Sequence, residues 1–121
     1  MKFNRIILDE NVTKKLAILK GRIGLTPNIL CRFGLILSLK DMTLPNPLIY
    51  KQNGQELMRH VLLGEYDTIL VALFIQRASK DSLDMSDNKM LIDYFRTHIN
   101  RGSEMLFNRV KKLLDLGKII C

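Results

Sequence analysis

The sequence predicts a compact, mainly α-helical domain that carries one short strand near its N-terminus. Its 121 residues are the length of one domain, and apolar residues recur at helical spacing along most of the chain. Hydrophobic residues make up 47% of the sequence and aromatic residues only 7%, so the core is expected to be aliphatic. Residues 1–121 are therefore expected to fold as a single domain.

The N-terminal part is expected to fold as strand, helix, turn and helix. Residues 3–8, "FNRIIL", predict a weak strand, which needs the edge of another chain or a distant segment as its partner. Thr26 is a good N-cap and Pro27 suits the first helical position, so a second helix is expected to begin there. Between them, residues 10–23 predict an amphipathic helix whose apolar stripe is formed by Val12, Leu16, Leu19 and Ile23.

The second helix, "PNILCRFGLILSLK", is apolar nearly all round. Such a helix is buried on most of its faces, and one layer of a chain this short is too little to cover it. We therefore expect a homo-oligomer. Gly34 lies in the middle of this helix, where it destabilises the fold unless another backbone approaches closely, and a close approach is the expected use of the position.

The rest of the chain is predicted to form a loop followed by helices. Residues 40–54 carry two prolines and several turn residues, which indicates a surface loop. Four helices are then expected, over residues 55–63, 66–78, 87–101 and 103–116. Gly64 and Gly102 are interpreted as helix ends. The apolar run within residues 66–78 is typical of a strand as well, but its length favours a buried helix.

Charge is distributed unevenly along the chain. Lys and Arg number 19 against 12 Asp and Glu, a formal net charge of +7. Residues 1–40 carry eight cations against two acids, residues 41–88 are acidic on balance, and residues 89–121 are basic again. This asymmetry favours a polyanionic partner, and nucleic acid over a membrane, because no basic segment has the Trp and Phe face of an interfacial helix. The alternative is a basic protein whose charges are simply solvated.

Cysteine usage and the N-terminal segment predict a cytoplasmic protein. Cys31 and Cys121 cannot form a disulfide framework, and no Cys/His spacing matches a zinc site. The N-terminus lacks the features of a signal peptide, and no apolar run reaches the length of a membrane span. We expect no metal ion and no membrane contact.

Residues that could support catalysis are scattered. His60 and His98 lie in different predicted helices, and only Glu56 stands at helical spacing from His60. Cys31 lies in the most apolar helix and is interpreted as a core residue. The sequence contains no phosphate-binding loop of the GxxxxGKS/T type. No catalytic residue and no cofactor are predicted.

Residues 20–28, "KGRIGLTPN", are the best candidate for a binding site. Two glycines permit a tight turn with positive φ, and a helix that begins at Pro27 presents free N–H groups and the positive end of its dipole to a phosphate. With the cations around them, the predicted DNA-contact residues are Lys14, Lys15, Lys20, Gly21, Arg22, Gly24 and Thr26. The alternative is an ordinary helix connector, because glycines end helices and Thr-Pro starts them in many proteins.

The order of elements over residues 3–39 is also that of half a ribbon-helix-helix protein. In that fold two chains pair their strands, and phosphates dock at the N-terminus of the second helix. The similarity is partial, because the strand offers little beyond Asn4 and Arg5 for reading base edges. Phosphate contact is therefore favoured over sequence reading, and a ribbon-helix-helix transcriptional regulator is kept as an alternative.

Three segments together resemble the DndE family, the small subunits of the bacterial DNA phosphorothioation (sulfur modification) system. They are "KKLAILKGRIGLTPNILCRFGLILSL", "LLGEYDTILVAL" and "HINRG", and together they span nearly the full length of the chain. The resemblance implies an α-helical protein that binds nicked duplex DNA, self-associates as a homotetramer and has no catalytic role of its own. It implies cysteine desulfurase, sulfur-transfer and ATPase-like subunits as partners.

The family motif maps onto the basic turn, and it adds Ile23 to Lys20, Gly21, Arg22 and Gly24 as positions that match. Two other classes of function are kept beside this one. A non-catalytic adaptor would bind protein partners through the acidic middle of the chain. A small-molecule lyase or mutase would need a concave pocket with perturbed titratable groups.

Overall fold

The structure is a computed structural model that describes residues 1–120, without the side chains of residues 119 and 120, and Cys121 lies outside the described residues. The described elements are β1 (Arg5–Ile7), α1 (Glu10–Ile23), α2 (Pro27–Lys40), β2 (Glu56–Met58), α3 (Arg59–Leu63), α4 (Asp67–Lys80), α5 (Asn88–Arg109) and α6 (Leu113–Ile120). Single 3-10 turns occupy Pro47–Ile49 and Gly64–Tyr66. The predicted mainly α-helical fold with a short N-terminal strand is confirmed.

The N-terminal strand pairs with a distant segment of its own chain. β1 and β2 are antiparallel, with Ile6 opposite Leu57 and both side chains buried. A second chain therefore does not supply the partner strand, in contrast to the paired ribbons of ribbon-helix-helix proteins. The helix predicted over residues 55–63 is wrong in its first half, because the unpaired edge of β1 needs hydrogen bonds and Leu57 alternates with exposed neighbours as in a strand.

The first helix forms as its pattern predicts. Asp9 is the N-cap, and its side chain accepts a hydrogen bond from the N–H of Asn11 (2.8 Å). The same carboxylate accepts from the N–H of Lys51 (2.9 Å), and the Asn100 side chain accepts from the Asp9 N–H (3.1 Å). Burial alone would raise the pKa of Asp9, but these backbone donors lower it below its ordinary value. Asp9 thus connects the start of α1 to the loop that contains Lys51 and to α5.

The most extensive helix contact joins α2 to α5, and two glycines lie at its centre. A Cβ atom at Gly34 would lie 2.8 Å from the backbone nitrogen of Ser103, and one at Gly102 would overlap the carbonyl oxygen of Gly34. The expected close approach at Gly34 is confirmed. The interpretation of Gly102 as a helix end is wrong, because α5 continues through it to Arg109, and no helix begins at Ser103. Because Gly102 has no side chain, α2 and α5 can cross closely; the residue does not cap a helix.

A buried polar group closes the C-terminal end of α2. Arg101 donates to the Ser38 carbonyl oxygen (2.9 Å) and, through Nε, to Ser38 Oγ (2.9 Å). Arg77 donates to the carbonyl oxygens of Leu39 (3.0 Å) and Asp41. Ser38 Oγ also forms a hydrogen bond with His98 Nδ1 at 2.8 Å, and the imidazole tautomer decides which of the two atoms donates. His98 therefore belongs to the same buried group as Arg101.

Replacing either crossing glycine by alanine is expected to destabilise the protein. The added Cβ meets backbone rather than a movable side chain, so Gly34→Ala and Gly102→Ala should each lower the free energy of unfolding by about 1–3 kcal/mol. Gly21→Ala is the matched control, because Gly21 is also helical but has open space around it. That change should raise stability by about 0.5–1 kcal/mol through helix propensity. Denaturant unfolding measures all three, and equal effects at the three glycines would contradict the tight crossing.

Acid is expected to destabilise the fold through His98. Burial, followed by the charges of Arg101 and Arg77, lowers the pKa of His98 from 6.5 to about 3. Below pH 6.5 the unfolded chain binds a proton that the folded chain does not bind, so the free energy of unfolding should fall as the pH drops from 7 to 4. His98→Gln should reduce this slope in urea titrations at each pH, whereas the exposed His60→Gln should retain it. An unchanged slope in His98→Gln would overturn the assignment.

Candidate nucleic-acid interface

The basic turn between α1 and α2 is a sharp corner closed by one glycine. α1 ends at Ile23, and Gly24 adopts the left-handed conformation (φ 75°) while its N–H donates to the Lys20 carbonyl oxygen at 2.9 Å. The axes of the two helices are bent by 107°. Gly24 therefore has the positive φ that the sequence predicts, but Gly21 lies inside α1 with helical geometry.

The first turn of α2 carries no side-chain cap. Thr26 occupies the N-cap position, but its hydroxyl donates to the Asn28 side chain instead of accepting from the helix. Pro27 follows at the first helical position. No side chain caps the backbone N–H groups of this turn. Together with the positive end of the helix dipole, such N–H groups attract a phosphate.

The structure separates the predicted contact residues into three groups around α1. Helical spacing places Lys15 and Arg22 on one flank of the buried stripe and Lys20 on the other flank. Lys14 and Gly21 lie on the face of α1 opposite the buried stripe. Thr26, Lys14, Lys20, Gly21, Arg22 and Gly24 are exposed, and Lys15 is half-buried.

Ile23 is the exception among the predicted contact residues, because its side chain is buried in the hydrophobic core. It can position the corner but cannot present its side chain to a ligand.

An aromatic ring that the sequence analysis missed brings three cations together. The guanidinium carbon of Arg22 lies 5.0 Å from the centre of the Phe107 ring, with Lys15 Nζ at 5.8 Å and Lys111 Nζ at 5.7 Å. We call Lys15, Arg22, Phe107 and Lys111 the Phe107 cluster. It joins the basic N-terminal and C-terminal parts of the chain. The signal in the sequence was an aromatic residue close to three cations, Arg109, Lys111 and Lys112.

One carboxylate borders the cluster. Glu104 accepts from Lys15 Nζ at 2.6 Å and from the Tyr50 hydroxyl at 2.7 Å. Burial, followed by this hydrogen bond, raises the pKa of Tyr50 above its ordinary value. Among the described residues, neither the Arg22 guanidinium nor the Lys111 ammonium has a carboxylate oxygen within 4.0 Å. The cluster therefore carries excess positive charge.

Groups that could serve catalysis or bind a metal are used elsewhere in the fold. Cys31 is buried 3.8 Å from Ser103 Oγ, and burial raises the pKa of its thiol to about 12, so the thiolate is disfavoured. His98 belongs to the buried polar group at the end of α2. Within residues 1–120, no three Asp, Glu, His or Cys side chains are grouped to hold a metal ion.

In the described part of the chain no single helix is long and apolar enough to cross a membrane, and only the bent pair of α1 and α2 together has the length and composition of a span.

A second surface is apolar and lies between α2 and α4. Its groove has a volume of about 480 Å³ and is bordered by Ile29, Phe33, Ile36, Tyr66, Ile69 and Leu73. Ile69 is 58% exposed, and Leu73 is 40% exposed. The sequence predicted that α4 is buried, but the structure buries only one of its faces and leaves the groove side open. We call this surface the α2/α4 groove.

Comparison with known proteins agrees with the fold and with the sequence resemblance. The chain is similar to the crystal structure of DndE from Escherichia coli B7A, involved in DNA phosphorothioation modification. The TM-score is 0.71 at 25% identity, over 85% of this chain and 97% of that one.

The chain also has the fold of a DndE mutant in which two glycines three positions apart are replaced by lysine. The TM-score is 0.70 at 24% identity, over 88% of this chain and 99% of that one. No curated protein matches the sequence.

A family model also matches the sequence directly. The family described as DNA sulphur modification protein DndE matches residues 5–113, which include β1, the corner, both partners of the glycine crossing and Phe107. Because this match extends over most of the chain, the protein belongs to the DndE family.

Proposed function

We propose that this protein is a single-domain accessory DNA-binding subunit of a bacterial DNA phosphorothioation system. It holds duplex DNA, with a nick as the favoured feature, through contacts to phosphates and performs no catalysis of its own. The observation that carries the proposal is the convergence of cations from both ends of the chain on Phe107. Family membership supplies the pathway, because the E. coli relative is involved in DNA phosphorothioation.

Uncompensated charge supports a polyanionic partner. The chain has a formal net charge of +7 and a pI near 9.7. Lys14 on the outer face of α1, and Lys20 and Arg22 on its two flanks, form no ion pair with the residues that the structure describes. Unpaired cations of this kind attract the phosphates of DNA and release their counterions on contact.

Contact with phosphates is favoured over reading of the base sequence. The strand residue best suited to base contact, Arg5, is paired with Glu56 at 3.0 Å, and the strand edge is occupied by β2. The corner presents cations, backbone N–H groups and the Thr26 hydroxyl, and groups of these kinds bind phosphates without regard to sequence. We therefore propose binding with little sequence preference, and a sequence-specific regulator is the less favoured alternative.

We also propose that the protein is a homo-oligomer, a tetramer by family resemblance, and that the α2/α4 groove is an interface between copies. β1 is paired within the chain, so the strand does not require a second copy as its partner. The apolar character of α2 still supports assembly, since Ile36 and the neighbouring Ile69 and Leu73 expose apolar surface between the two helices.

The remaining partners follow from the proposed pathway. Other phosphorothioation subunits are proposed as binding partners, and the cytoplasm is proposed as the location.

An adaptor that binds only proteins is the second candidate function, and the partly open groove is the observation in its favour. Salt-dependent DNA binding by the purified protein distinguishes the two functions, because an adaptor that binds only proteins would not bind DNA in this way.

DNA binding is tested with matched charge reversals. Lys20→Glu with Arg22→Glu should weaken duplex binding by about tenfold or more and reduce its salt dependence, because both changes remove cations near the corner. Lys2→Glu with Lys89→Glu changes the net charge equally, and Lys89 lies roughly 27 Å along α5 from Phe107. This control should bind nearly as the parent does. Fluorescence anisotropy with salt titration gives the affinity and its salt dependence. Equal losses of affinity in the two variants would show that the corner is not part of the interface.

The same assay tests sequence and nick preference. Unrelated duplexes of equal length should compete equally for the parent protein. A duplex with a central nick should compete better than the intact duplex of the same sequence. If one sequence competes better by orders of magnitude, the phosphate-only mode of binding is wrong.

Assembly is tested in the groove. Leu73→Glu places a charge on the apolar surface and should shift the mass measured by light scattering at micromolar concentration towards the monomer. Met85→Glu is the control, because Met85 is 43% exposed and Leu73 is 40% exposed, but Met85 lies in the linker before α5. A monomeric parent protein would refute the oligomer, and an unchanged assembly in Leu73→Glu would place the interface elsewhere.

A further inference from the structure

The Phe107 cluster brings like charges together with little compensation from the protein. Three cations lie within 6 Å of one ring centre, and they come from α1 and from the segment between α5 and α6. Glu104 pairs with Lys15 but also accepts from Tyr50. The three cations and this carboxylate carry a net charge of +2; Asp115, which accepts from the backbone N–H groups of Lys111 and Lys112, is outside this count. Charges of one sign at this spacing repel each other unless an anion lies between them.

The ring offsets part of this repulsion. The face of an aromatic ring is negative, so it attracts cations that an aliphatic side chain of similar size would not attract. Phe107 is half-buried on α5 and packs against the hydrophobic core, so its position is set by the fold. The cations are therefore held in place before any ligand arrives.

Backbone contacts fix the position of Lys111 from the other side. Its N–H donates to the Asp115 carboxylate at 2.9 Å, and the neighbouring Lys112 N–H donates to the same oxygen at 3.2 Å. This arrangement ties the segment after α5 to the start of α6. Of these two adjacent and exposed lysines, Lys111 is the one whose side chain lies over the ring.

We propose that the Phe107 cluster is a phosphate-binding site for nucleic acid, with Lys15, Arg22 and Lys111 as the contacting groups and Phe107 as their positioning residue. The proposal rests on the proposed function, and it specifies which part of the basic surface holds DNA. A net charge of +2 matches two adjacent phosphodiesters of one strand or one terminal phosphomonoester at a strand break. Both sources have the same chemistry, an anionic phosphate oxygen that accepts from ammonium and guanidinium donors.

The test compares Phe107→Leu with Phe107→Tyr in the full chain. Leucine keeps apolar volume but lacks the ring, so the cations should spread and the dissociation constant for a duplex should rise about three- to tenfold. The slope of log affinity against log salt should fall by roughly one, as for the loss of one phosphate contact. Tyrosine keeps the ring and should retain both values. A merely structural role of Phe107 would lower the melting temperature without changing the salt slope of the folded protein.

A second pair of variants covers the case in which Phe107→Leu does not fold. Lys111→Gln should weaken binding and lower the salt slope, whereas Lys112→Gln next to it should have a smaller effect on both. Equal effects of the two would overturn the proposal.

Two nicked duplexes, one with a 5′-phosphate and one with a 5′-hydroxyl at the nick, separate the two phosphate sources. Preference for the 5′-phosphate that is lost in Lys111→Gln assigns the site to a terminal phosphate. Equal binding of the two nicked duplexes by the parent assigns it to backbone phosphates.

Failure of this proposal and failure of the proposed function give different results. If the parent protein binds no duplex in a salt-dependent manner, the proposed function is wrong. If the parent binds but Phe107→Leu and Lys111→Gln bind with its affinity and its salt slope, the function stands and the Phe107 cluster is not the phosphate site.

Discussion

Where α2 crosses α5, glycine faces glycine, and the backbone of each helix occupies the space that a side chain of the other would fill. This close approach determines which groups meet on either side of it. The thiol of Cys31 lies against Ser103, and one turn further along, Ser38 reaches His98 and Arg101. Larger residues at the crossing would separate the helices and leave these buried polar groups without partners, which costs more than the lost packing alone.

The crossing also sets the direction of α5, the longest helix of the fold. Along its 22 residues, α5 meets the N-terminal segment three times: Asn88 bonds to the backbone of Lys2, Asn100 accepts from Asp9, and Glu104 accepts from Lys15. Phe107 follows one turn after Glu104 and meets Arg22 near the end of α1. The basic surface therefore depends on how α5 is anchored in the core as well as on the charged residues of the corner.

Local patterns predicted much of this fold, and long-range contacts explain the failures. The stripe of α1, the start of α2 at Pro27 and the close approach at Gly34 follow from spacing and residue type, and all three are confirmed. Residues 56–58 were predicted helical because the pairing with β1, across some 50 residues, leaves no local trace. Gly102 looks like a helix end in sequence because only the crossing shows why it lacks a side chain. The corner was predicted from its residues, but Phe107 was missed because α1 and α5 are distant in sequence.

Separate surfaces for phosphate and for self-association have a physical consequence for affinity. The Phe107 cluster and the α2/α4 groove share no residue, so on our proposals one copy can contact DNA while its groove contacts another copy. A site with a net charge of +2 neutralises few phosphates and binds weakly at physiological salt. Linking several such sites in one assembly makes each further contact intramolecular, and the affinities combine as long as the geometry lets the sites reach the same duplex. Assembly through the apolar groove then provides what the small basic site of one chain lacks.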